Sequence, residues 1–234
     1  MNLWMCREES NAALVTTLES LAVLLEGAFL RVDEAVDYFQ KFLLAEPADA
    51  GRVCAVMVIK GRNLALGCYS LALDGLAQES GALLRPLLEA IELLGYLRAV
   101  PGAVDKAVNG KLPNAGKRAK QIESPFWDLR EHLNTYASHV GFGGAAVRHL
   151  LDIRAGRFRA VQPFNESVLE QNIATVFVFT AILAREAALC FHWCGAEVAP
   201  SSAESLVNKA RSCVDSGREI VKPIFAKRRG IDGL

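Results

Sequence analysis

Two stretches of this chain carry titratable side chains where an apolar helix pattern does not call for them. Between residues 83 and 97, Leu83, Leu84, Leu87, Leu88, Ile91, Leu93, Leu94 and Leu97 cover most of a helical circumference, which marks a helix buried in a core. Arg85, Glu89, Glu92 and Tyr96 interrupt it at i, i+4, i+7 and i+11, a spacing that lines them up as one stripe. Charged groups on such a helix need partners or a solvated cavity, because an isolated buried charge is strongly unfavourable. The second stretch follows Ser124-Pro125. Its apolar face is Phe126, Leu129, Leu133, Ala137 and Val140. Beside it lie Asp128, His132, Thr135, Tyr136 and His139, within roughly 100° of arc on a 3.6-residue helix. Imidazoles next to a phenol and a carboxylate are suited to proton transfer near neutral pH.

These residues define a candidate ligand-binding set of Arg85, Glu89, Glu92, Tyr96, His132, Tyr136 and His139, with His139 and Arg130 as candidate catalytic groups. A plainer reading stands beside it: Arg85 and Glu89 have the spacing of an ordinary intrahelical ion pair, and the whole set would serve as a polar network joining two helices. Lys106, Lys111, Lys117, Arg118 and Lys120 precede the histidine stretch, and Arg148, Arg154, Arg157 and Arg159 follow it. Folded over the same mouth they attract an anion, phosphate included; otherwise they are solvated loop residues.

Other chemistry is absent from the pattern. There is no phosphate-binding Gly-rich loop, no Gly-x-Ser-x-Gly and no His-Glu-x-x-His. Gly141-Phe142-Gly143-Gly144 follows a helix rather than a strand and reads as a helix terminator. Cys190, His192 and Cys194 resemble a metal cluster in sequence, yet on a helix His192 points about 200° away from Cys190. The six cysteines read as reduced core residues, and neither a metal nor a cofactor is expected.

Helices are needed to position all of this, and the pattern supplies them nearly throughout. Apolar residues recur at three and four from Asn11 to Leu44, where Gly27 divides or bends the run. A second helix spans about 50–76, and Ser80-Gly81 opens a third that ends at Pro101-Gly102. Residues 103–124 read as a short helix and a basic connection. Ser124-Pro125 then provides an N-cap and a first-turn proline. Residues 147–162 allow either a short helix or a small hairpin around Ala155-Gly156. Asn165-Glu166-Ser167 begins a long apolar helix that reaches Gly195, and a last amphipathic helix runs from Ser201-Ser202 to Pro223, leaving 224–234 as a frayed tail. The expectation is an all-α helical bundle of about six major helices in a single domain over residues 1–234.

The formal net charge is zero, so no global field steers the chain toward nucleic acid or a membrane. The first residues carry Arg7, Glu8 and Glu9 where a secretion signal needs an apolar core. The long apolar stretch between Glu170 and Arg185 runs roughly 14 uncharged residues against about 20 for a spanning helix. A cytoplasmic protein with no membrane partner is expected. Apolar residues make up 52% of the chain, enough that a second subunit is expected to cover part of the helical surface, with a homodimer as the default arrangement.

Arg85-Pro86-Leu87-Leu88-Glu89, followed about fifty residues later by Asn134-Thr135-Tyr136-Ala137-Ser138-His139-Val140-Gly141, resembles a group of bacterial helical proteins of unknown function. Those proteins carry an Arg-x-x-x-Glu helix and a later Tyr-x-Ser-x-His or Ser-x-x-His segment, and are compared with the HEPN superfamily of nucleotide-associated and RNase domains. The resemblance covers roughly residues 50–145. It implies a dimeric bundle with RNA as a substrate, and a metal-independent ribonuclease chemistry in which His139 is the acid–base and Arg85 or Arg130 stabilises the phosphate. The arginine–histidine pair taken for the catalytic pattern of those RNases is Arg130 and His139, with eight residues between them, longer than the family spacing.

Overall fold

The computed structural model describes residues 5–43, 49–136, 151–152, 156–158 and 163–231. Nine helices occur among them: α1 (Met5–Leu14), α2 (Glu19–Leu43), α3 (Asp49–Leu73), α4 (Ala77–Ala99), α5 (Ala103–Val108), α6 (Ala115–Gln121), α7 (Trp127–Tyr136), α8 (Glu166–Gly195) and α9 (Pro200–Ile231). The fold is an all-α helical bundle, as the periodicity predicts. Five helices, α2, α3, α4, α8 and α9, are long enough to build it. Between α7 and α8, Leu151–Asp152 (β1) pairs antiparallel with Arg157–Phe158 (β2), with Leu151 opposite Phe158 and Asp152 opposite Arg157. Within residues 147–162 the described residues 151–152 and 157–158 pair as strands, and Gly156 beside β2 takes the left-handed conformation at φ 61° that glycine adopts without strain.

α8 is the axis of the bundle and packs against α2, α3, α4 and α9. Its residues explain why. Ile173, Phe177, Leu183, Ala184, Ala187, Ala188 and Phe191 are all buried, so the helix is apolar around most of its girth. Asn165 caps it, the side-chain oxygen accepting from the Val168 N–H at 3.1 Å. Phe191 meets the α2 aromatics Tyr38, Phe39 and Phe42 at centroid distances of 5.5–6.1 Å. α8 is the one single helix among the described residues long and apolar enough to cross a membrane, and 67% of its most apolar window is buried inside the bundle.

Three helix boundaries differ from the sequence expectation. The run from Asn11 to Leu44 breaks at Val15–Leu18, with a 91° bend between α1 and α2, and Gly27 lies inside an unbroken α2. At the break the Leu18 N–H closes onto Ala13 O at 2.8 Å instead of onto Leu14, and Leu14 and Leu18 are both buried on either side of the turn. α2 survives its glycine because Leu21, Leu25, Ala28, Val32, Ala35 and Phe39 bury one continuous stripe. Similarly α9 continues through Pro223 to Ile231 instead of fraying at 224. Val221 and Ile224, both buried, hold the helix against the core on either side of the missing N–H. Finally α4 begins three residues before Ser80, whose hydroxyl is turned inward and donates to the Cys68 carbonyl at 2.8 Å.

The six cysteines are unpaired, and Cys6, Cys54, Cys68 and Cys190 are buried, consistent with their reading as core residues. Burial pushes the Cys68 thiol up to about 12. Cys54, hydrogen-bonded to Cys190 and desolvated, is also raised.

Candidate functional site

α4 supplies the floor of the site. Its stripe of Arg85, Glu89, Glu92 and Tyr96 does lie on one side, and that side is covered by α6 and α7. α6 starts at Asn114, whose side chain accepts from the Lys117 N–H at 3.0 Å, and Ala119 anchors it in the core with no exposed surface. α7 starts after a tight turn in which Ser124 Oγ accepts from the Phe126 N–H at 3.2 Å. Ser124 is therefore the turn residue the sequence indicates, although the first helical residue is Trp127. Its hydroxyl also donates to Glu92 Oε1 at 2.7 Å, which ties the start of α7 to the stripe.

Around this frame three guanidinium groups gather on two carboxylates. Arg85 donates through Nε to Glu89 Oε1 at 2.9 Å and through Nη1 to Asn134 Oδ1 of α7 at 2.8 Å. Arg130 of α7 bonds Glu92 Oε2 through Nη2 and approaches Glu89 Oε1 to 3.6 Å through Nη1. Arg118 of α6 completes the group. Its Nη1 donates to the Pro113 carbonyl at 2.6 Å. Burial lowers its pKa, opposed by the charge of Glu89, reinforced by that of Arg130, and opposed again by Glu92 and Tyr96. Glu92 and Arg130 are each 3% exposed and Tyr96 is fully buried, so water screens this cluster poorly.

Two features remain uncompensated. Arg85, Arg118 and Arg130 against Glu89 and Glu92 leave one positive charge in excess. In addition the Tyr96 hydroxyl, Arg118 Nε and Arg130 Nε are buried without a hydrogen-bond partner among the described residues. Native interiors rarely leave such groups unsatisfied, and each costs roughly 1–3 kcal/mol if nothing meets it. An excess of positive charge with idle donors contributed by three helices is chemically suited to an anion.

The residues marked in the sequence divide into three sets. Arg85, Glu89, Glu92 and Arg130 meet in one network, and Tyr96 lies within electrostatic reach of Arg118. His139 lies outside the described residues, as do Arg148, Arg154 and Arg159. The side chains of His132 and Tyr136 are not described either, although both residues belong to α7. Of the basic connection only Arg118 enters the cluster. Lys106, Lys111, Lys117 and Lys120 are exposed, and Lys120 lies over the Trp127 ring at 5.5 Å. Of the three further residues the structure adds, the sequence marks Arg118 only within the basic connection, Ser124 only as an N-cap and Asn134 only within the resemblance segment, none as a partner of the α4 stripe. The nearest to a signal is Arg118, an arginine four residues past an Asn N-cap on a helix too short to be amphipathic.

Elsewhere, Cys190 is buried while His192 is exposed, as their angular separation requires. No group of three or more metal-ligating side chains occurs among the described residues. A second arginine–histidine pair, Arg185 and His192 with six residues between them, has the spacing of the RNase pattern more nearly than Arg130 and His139 do. Both are exposed on one flank of α8.

No family model, curated protein or solved structure matches this chain, so the functional argument rests on the geometry of the arginine cluster itself.

Proposed function

We propose that this protein is a cytoplasmic, homodimeric binding module that takes a small anionic, nucleotide-like ligand at the junction of α4, α6 and α7. The observation that carries the reading is the excess guanidinium charge of Arg85, Arg118 and Arg130 over Glu89 and Glu92, together with three buried donors that lack partners among the described residues. A phosphate or carboxylate would neutralise the excess and accept from the idle groups, and charge-assisted hydrogen bonds of this kind are roughly twice as strong as neutral ones. Arg85 and Glu89 are 17% and 32% exposed, which makes their end of the cluster the mouth. Arg118 is the residue to remove in a test, because it takes part in no ion pair within hydrogen-bond reach of the two carboxylates. Thermal unfolding with inorganic phosphate or AMP at low salt should show stabilisation of the wild type by about 2.7 kcal/mol at a hundredfold excess over Kd. Arg118→Ala should lose that response. A wild type insensitive to both ligands at millimolar concentration would refute the reading.

A metal-independent, HEPN-like ribonuclease is the second reading. It is favoured by the burial of Arg130 beside α4 and by the resemblance that includes His139. In that chemistry Arg130 meets a phosphate with its idle Nε–H and with the terminal N–H groups that Glu92 leaves free. Cleavage of single-stranded RNA without added metal, lost in His139→Ala, would favour it. Dependence on Arg185 and His192 instead would move the reaction to the flank of α8.

A further inference from the structure

The homodimer of the reading above, on which this inference rests, needs an interface, and a surface away from the arginine cluster is the candidate. Of the twelve exposed large apolar side chains among the described residues, five lie on α2 and α3, two neighbouring helices joined across by the Arg62–Asp33 ion pair. On α3, Val56, Ile59 and Leu66 are 63%, 42% and 37% exposed, and their i, i+3, i+10 spacing places them in one stripe. On α2, Val23 and Leu30 are 61% and 51% exposed, two turns apart. Between the helices, and closed at one end by α1, runs a groove of about 560 Å³ whose walls include Ala22, Phe29 and Leu66. An apolar stripe on each of two adjacent helices is the pattern of a face that packs on other helices.

The charges beside these stripes indicate what packs there. The exposed acids of α2 are Glu19, Glu26 and Asp37, whereas the exposed bases of α3 are Arg52 and Lys60. The signs reverse only near the end where the chain passes from one helix to the other, at Lys41 and Asp49. One face thus presents an acidic helix beside a basic helix, each with an apolar seam. Rotating a copy by 180° about an axis parallel to the helices sets α2 of one protomer against α3 of the other, twice over. Acid then meets base in both contacts, as a self-complementary two-fold interface requires.

We propose that the α2–α3 face is the interface for a second copy of this chain, forming a four-helix contact in which α2 of each protomer packs on α3 of the other. The proposal is independent of the anion site, which lies on α4, α6 and α7. The test is a charge exchange with the full chain, read by analytical ultracentrifugation. Glu26→Lys with Asp37→Lys makes both helices basic, and Arg52→Glu with Lys60→Glu makes both acidic. Each double variant alone should dimerise at least roughly tenfold more weakly than the wild type, because like charges now face each other. Mixed one to one, the two should form a heterodimer. All four positions are exposed, and circular dichroism melting verifies that each variant is folded. A monomeric wild type at tens of micromolar overturns the proposal and leaves the face to a foreign partner. A wild-type dimer unaffected by either double variant places the contact elsewhere and overturns it equally.

Discussion

Replacing Glu92 with glutamine tests the physical core of the cluster. The substitution preserves shape and removes one negative charge from a place where Glu92 and Arg130 are each 3% exposed. Arg130 then keeps only Glu89, at 3.6 Å, so the guanidinium is left buried with its nearest counter-charge beyond hydrogen-bond range. Breaking a buried pair in this way costs about 3–5 kcal/mol, most of it the penalty of the charge left behind. For a chain of this size each kcal/mol lowers Tm by about 2–4 °C, so the expected drop is roughly 6–20 °C. Removing both charges, as Glu92→Leu with Arg130→Met, should recover a large part of the loss, because apolar replacement of a whole buried pair is often neutral. The control is Asp33→Asn, which breaks the Arg62 pair where the side chains are 31% and 42% exposed. That pair should be worth about 1 kcal/mol or less. Thermal unfolding followed by circular dichroism, with chemical denaturation for the free energies, reads all three. If Glu92→Gln costs no more than Asp33→Asn, the cluster is solvated and the argument from buried excess charge fails.

Tyr96→Phe removes a buried hydroxyl that has no hydrogen-bond partner among the described residues. Stability should be unchanged or raised by up to about 1 kcal/mol, while stabilisation by phosphate should weaken, and differential scanning fluorimetry with and without phosphate reads both. Gly217→Ala on α9 brings a Cβ into the ring of Phe177, a buried core residue. The clash should outweigh the helix-propensity gain of about 1 kcal/mol and leave a net loss of about 1–2 kcal/mol, measured by denaturant unfolding. Alkylation at neutral pH, followed by mass spectrometry, should spare Cys54, Cys68 and Cys190 until the protein unfolds, since all three are fully buried and burial keeps Cys54 and Cys68 as thiols.

The sequence was most informative where one helix contained the whole signal. Arg85, Glu89, Glu92 and Tyr96 stand out because a 3.6-residue period relates them without reference to any other element. α8 is legible for the same reason, being apolar on nearly every side from Leu169 to Phe191. What covers the stripe was not legible. Arg118, Ser124 and Asn134 come from separate elements, and only packing brings them to α4. The boundary differences have a parallel cause. Gly27 and Pro223 are strong local breakers, yet each sits within a helix whose buried stripe outweighs it. His139 and the segment that contains it lie outside the described residues, so its relation to the cluster rests on the sequence alone.

The most direct measurement is a calorimetric titration of the wild type and Arg118→Ala with inorganic phosphate and with AMP, at low and at physiological salt. The account predicts saturable binding of at least one of them to the wild type, weaker at the higher salt as screening requires, and loss of binding in Arg118→Ala with the fold intact. No binding to the wild type at either salt, or equal binding by the variant, would contradict the claim that the cluster between α4, α6 and α7 is an anion site.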